Sequence, residues 1–116
     1  MKYLCLGYHD LNAWQAMPEG QRMSLMRDVA AYDALLRKNG HCVDAQALQD
    51  GEAATLRFIN GKVSVTDGPF AETKEQLGGV MVLEADDLNH AIRLMSELPC
   101  MRVGGSLEIR PINENL

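Results

Sequence analysis

The chain opens on a stretch whose apolar side chains occupy both sides of an extended backbone. In "KYLCLGY" (Lys2–Tyr8), Leu4, Leu6 and Tyr8 fall on one side, and Tyr3, Cys5 and Gly7 on the other. A strand that is apolar on both faces belongs inside a sheet. The period then changes. After a polar connection containing Trp14, Pro18 stands where a helix can open, since the first turn needs no N–H from that position. Leu25, Val29, Tyr32 and Leu36 then recur at helical spacing, with Met26 and Ala30 widening the stripe. Lys38, Asn39 and Gly40 supply a basic last turn and a glycine cap, so the helix is predicted to end there. "HCVDAQAL" (41–48) predicts a second strand.

"ATLRFINGKVSVTD" carries the strongest local signal, two alternating runs joined by Asn60-Gly61. That dipeptide favours a two-residue type I′ hairpin, because both central residues need positive φ. Counting outward pairs Ile59 with Lys62, Phe58 with Val63, Arg57 with Ser64 and Leu56 with Val65. Leu56, Phe58, Val63 and Val65 therefore share one face, and two steps further Asp67 falls opposite Ala54 on that same face. "VMVLEA" (Val80–Ala85) again reads as a strand apolar on both faces. Asp86 and Asp87 open a second helix whose buried stripe is Leu88, Ala91, Ile92, Met95 and Leu98, with Pro99 to stop it. "SLEIRPI" is a final strand.

The order is β-α-β-β-β-β-α-β. Without the hairpin it reduces to β-α-β-β-α-β, a ferredoxin-like α+β arrangement of one antiparallel sheet backed by two helices, as a single domain over 1–116. Two helices cover one face of a sheet. The strands at 2–8 and 80–85 are apolar on both, so a homodimer with sheets meeting face to face is expected.

Composition narrows the function classes. The 116 residues are 47% hydrophobic and 23% charged, with a formal net charge of −5. Without a Lys/Arg cluster this argues against nucleic acid or an anionic membrane as partner. No apolar run is long enough to span a bilayer and no signal-peptide pattern starts the chain, so a cytoplasmic address is expected. Cys5, Cys42 and Cys100 match neither a disulfide framework nor a zinc pattern, and are expected to be free. No phosphate-binding loop, dinucleotide fingerprint or nucleophile elbow occurs, and no cofactor or metal is expected.

The candidate chemistry concentrates in "DGPFAETKEQLGG" (67–79), thirteen residues where a short turn would join two strands. The register aims Asp67 at the apolar side, where desolvation would raise its pKa. Gly68-Pro69 breaks the ladder. Thr73–Gln76 matches a capping box, which predicts a short helical turn directing Lys74 and Glu75, and Gly78-Gly79 allows close approach of backbone to a neighbour or ligand. These features describe a cavity mouth bearing an acid (Asp67), a base (Lys74) and an aromatic (Phe70), with Glu75 beside them. Plain turn chemistry, with Asp67 bonding its own bend, is the alternative.

These residues also carry a resemblance. "VTDGPFAETKEQLGG" is similar to the signature of the DGPF group of YCII-related domain proteins. The similarity extends to "KYLCLGY", to Ala13–Gly20, to the helix ending at Gly40 and to "LEADDLNHAI". It implies a ferredoxin-like dimeric α+β barrel. The inward register supports acid/base chemistry, with Asp67 exchanging a proton with a small cyclic or anionic molecule while Lys74 steadies negative charge. Members of the group are often encoded beside extracytoplasmic-function sigma factors, so the resemblance implies the alternative of a non-catalytic ligand sensor or protein-binding module with a sigma factor as partner. Enzymes of the wider superfamily, one branch acting as dehydrochlorinase on hydroxylated aromatics, use a His early in the first helix and an Asp near the end of the second. Here no His lies between Met17 and Gly40, and Leu98 precedes Pro99. That pair is not carried over.

His9, at the end of the first strand next to Asp10, is the remaining candidate base near neutral pH, although neighbours on a strand point opposite ways. Trp14 either lids the core edge or stacks on a planar ligand. His41 is expected at the surface or an interface, and His90 in solvent opposite its helix's apolar stripe. Met23, Met26, Met81 and Met95 are expected at core or interface positions.

Overall fold

The computed structural model describes all residues from Met1 to Leu116. The strands are β1 (Lys2–Asp10), β2 (Cys42–Ala47), β3 (Ala54–Ile59), β4 (Lys62–Asp67), β5 (Glu75–Glu84) and β6 (Ser106–Pro111). The helices are α1 (Leu11–Ala16), α2 (Glu19–Lys38) and α3 (Leu88–Ser96), with a 3₁₀ turn at Pro99–Val103. Strands β2-β5-β1-β6 form one antiparallel sheet, the ferredoxin-like order. The two doubly apolar strands, β1 and β5, are its centre, as a strand flanked on both sides requires.

The helices cover one face. Tyr3 and Cys5 on β1 and Met81 and Leu83 on β5 are buried there with Leu36 of α2 and Ala91 and Met95 of α3. The Tyr32 hydroxyl donates to the Leu94 carbonyl and ties α2 to α3. Gly40 ends α2 at φ +79°, where the His41 N–H returns to the Leu36 carbonyl at 2.8 Å, as the glycine cap implied. On the other face Leu4, Leu6, Val80 and Val82 are only half-buried.

Several expectations need correction. The connection holding Trp14 is helical, because Asp10 caps it by accepting from the Asn12 and Ala13 N–H groups. In α2, Met23 and Met26 are exposed and so lie outside the core, whereas Met81 and Met95 are buried in it as expected. In α3, Leu88 and Ile92 are exposed and the stripe narrows to Ala91 and Met95, with Leu98 buried just beyond. His90 is not solvated. Its Nδ1 accepts from the Asp86 N–H at 3.0 Å and its ring stands edge-on to His41, 5.2 Å between centroids.

Asn60 and Gly61 take φ of +52° and +79°, and β3 pairs with β4 in the counted register out to Ala54 opposite Asp67. That hairpin forms a sheet of its own. Its apolar face lies in the open, with Leu56, Phe58, Val63 and Val65 between 61 and 76% exposed.

Candidate functional site

Three glycines shape the site. Gly7 of β1 faces Gly79 of β5 across the ladder, and Gly78 is the unpaired residue between the Gly7–Gly79 and Tyr8–Leu77 pairs, a β-bulge. Where side chains would otherwise fill the space between sheet and helices, the backbone is bare. A cavity of about 1200 Å³ opens there, bounded by the sheet, α1, α2 and the 3₁₀ turn, with mostly apolar walls. It is somewhat larger than the usual range for a small-molecule pocket.

His9 sits at its mouth. Strand alternation puts it on the side of Cys5 and Gly7, and its imidazole occupies the place that a Cβ on Gly78 would take. The ring, 35% exposed, brings Nε2 within 3.5 Å of Asp50 Oδ1. Asp50 lies in the connection from β2 to β3, which the Leu48 N–H anchors to the bulge by donating to the Gly78 carbonyl at 2.9 Å. Asp10 points elsewhere, as neighbours on a strand do. Its Oδ1 caps α1 while Oδ2 lies 3.6 Å from Lys74 Nζ. The Glu75 carboxylate accepts from Ser106 Oγ, 3.0 Å from each oxygen. Trp14, half-buried on α1, lines the same cavity, and Arg22 braces its helix by donating to the Gln15 carbonyl at 3.2 Å.

His9, Trp14, Lys74 and Glu75 therefore line one cavity. Asp67 and Phe70 do not. Asp67 has the counted register but is exposed, because the face it shares with Val63 and Val65 is not an interior of this chain. Phe70 is 78% exposed and lies under the Arg57 guanidinium, 5.2 Å from the ring centroid.

The helical turn expected at Thr73–Gln76 is also absent. Glu75 and Gln76 pair with Asp10 and His9, so β5 begins at Glu75. Ladder hydrogen bonds with β1 outweigh a local capping preference. The connecting loop shrinks to Gly68–Lys74.

Asp50 and Ser106 escaped sequence reasoning. Asp50-Gly51 reads as an ordinary turn, and nothing local brings it to His9. The Gly78-Gly79 pair is the available signal: Gly78 seats the imidazole, and Gly79 lies close to the Gln46 carbonyl of β2.

The YCII-related domain matches residues 1–115. An uncharacterized protein of Rhizobium meliloti (strain 1021) is 34% identical over 114 residues, spanning 97% of this chain and 92% of that protein. Among solved structures, the 5-chloro-2-hydroxyhydroquinone dehydrochlorinase of Burkholderia phenoliruptrix, in complex with 2,5-dihydroxybenzoquinone, superposes with a TM-score of 0.62 at 12% identity, covering 97% of this chain and 94% of that one.

Proposed function

The chain belongs to the YCII-related domain family, and on that premise we propose that it binds a small, flat, oxygen-bearing ring compound and moves a proton on it with His9. One observation carries this reading: an imidazole seated on the Gly78 bulge, beside a carboxylate, at the mouth of a largely apolar cavity. Bare backbone at Gly7 and Gly79 leaves a flat wall, and the Trp14 indole offers an aromatic face for a ring. His9 accepts a proton from a hydroxyl or acidic C–H of the ligand. Asp50 orients the imidazole and stabilises its protonated form. The ammonium of Lys74 steadies the oxyanion that results. The ligand of the Burkholderia enzyme supports the choice of ligand class.

The same reading makes the protein a homodimer, with the uncovered sheet face at Leu4, Leu6, Val80 and Val82 meeting its counterpart. The test uses 2,5-dihydroxybenzoquinone as binding probe and 5-chloro-2-hydroxyhydroquinone as substrate, followed by chloride release. His9→Asn is expected to lower turnover by roughly 10²–10⁴-fold, while Asp67→Asn leaves it unchanged. Absence of probe binding at millimolar concentration, or a His9→Asn variant as active as the parent chain, overturns the assignment.

A further inference from the structure

The β3–β4 hairpin leaves the fold at the cavity mouth, and each of its roots carries a charge of the site. The incoming root is the connection from Ala47 to Ala54, which holds Asp50 against His9. The outgoing root is Gly68–Lys74, which ends on the ammonium beside Asp10. Arm and roots are bonded into one unit. The Gly68 N–H donates to the Ala53 carbonyl at 2.7 Å, Thr55 Oγ1 to the Gly68 carbonyl at 2.8 Å, and Arg57 Nη2 to the Phe70 carbonyl at 3.3 Å. These bonds tie the base of the arm to the two segments that carry Asp50 and Lys74. Yet the arm joins no other strand, and its apolar face is open.

We propose that this arm docks through Leu56, Phe58, Val63 and Val65 on a second copy of the chain, and that docking holds Asp50 and Lys74 in place, so the site is complete only in the assembled pair. The proposal deepens the reading of the His9 site and rests on the second copy invoked there. Area selects that occupant. The exposed fractions of the arm's apolar side chains amount to roughly 400–500 Å². An equal area lost by whatever receives the arm, counted twice under two-fold symmetry, totals roughly 1,600–2,000 Å², enough for a stable interface even before the sheet face is added. One partner then covers both apolar surfaces that a single chain leaves open.

Phe58→Ser combined with Val65→Ser tests this, with Leu56→Ser, across the ladder from Val65, as an independent variant. All are exposed, so circular dichroism is expected to match the parent chain. Sedimentation is expected to show twice the chain mass for the parent and a single chain mass for the variants. Hydrogen exchange at amides 48–53 and 70–75 is expected to accelerate about tenfold or more in the variants, with weaker binding of 2,5-dihydroxybenzoquinone. A parent chain that stays monomeric at high micromolar concentration hands the arm to a different protein and overturns the proposal. So do variants that still pair, or that separate with exchange at both roots unchanged. Dimerisation and root protection lost together in the variants support it even where the quinone fails to bind, an outcome that sinks only the reading of the ligand.

Discussion

A single methyl group probes the seat of His9. In Gly78→Ala the new Cβ would overlap the imidazole, closer than any non-bonded contact permits. Gly78 is not among the glycines with positive φ, so alanine is free of backbone strain there. The conflict lies with one side chain alone. If that ring were locked, overpacking would cost about 1–3 kcal/mol. It is 35% exposed at a cavity mouth, however, and can swing into water. What is then lost is its approach to Asp50, a solvent-screened pair at 3.5 Å with the carboxylate 51% exposed, worth at most about 1 kcal/mol. Replacing glycine offsets this by roughly 0.4–1 kcal/mol through the unfolded chain.

The expected net change in stability is therefore within about 1 kcal/mol, or roughly 3–6 °C in Tm for a chain of this length. The His9 ring nonetheless leaves its position. Urea denaturation measures the first, and the His9 ring resonances with their cross-peaks to Gly78 measure the second. An alanine variant destabilised by more than about 3 kcal/mol would show the ring to be packed, not seated at a mouth. One with unaltered His9 resonances would show that the ring never lay over Gly78.

Asp10 and Lys74 separate a cap from an ion pair: Asp10→Ala is expected to cost about 0.5–2 kcal/mol by uncapping α1, while Lys74→Ala, with its side chain 82% exposed, should cost under about 1 kcal/mol; paired urea melts giving equal losses would refute the distinction. The buried Cys5 thiol is pushed up from 9.0 to about 11, first by burial and then by Cys42. A raised folded-state value means its contribution is whole below pH 9 and is lost as pH rises towards 11, by up to roughly 3 kcal/mol. The alkaline arm of a stability–pH curve should therefore flatten in Cys5→Ala, and an unchanged slope would count against a buried neutral thiol.

Much of the frame was legible in the chain. Positive φ at Asn60-Gly61 sets the hairpin register out to Asp67, and doubly apolar runs at 2–8 and 80–85 identify the central strands, because turn stereochemistry and side-chain alternation are local. Gly40 likewise ends its helix from within. What local rules could not supply was the surroundings of each element. The same register that aims Asp67 at an apolar face does not say whether this chain covers that face, and it does not. Glu75 and Gln76, the end of the run read as a capping box, become strand because β1 is there to pair with them. Asp50 reaches His9 only once β2 and β1 have been laid into one sheet with β5 between them. Alternation and φ preference act over a few residues and survive in the sequence. Burial, pairing and charge proximity depend on distances that exist only after the chain has closed on itself.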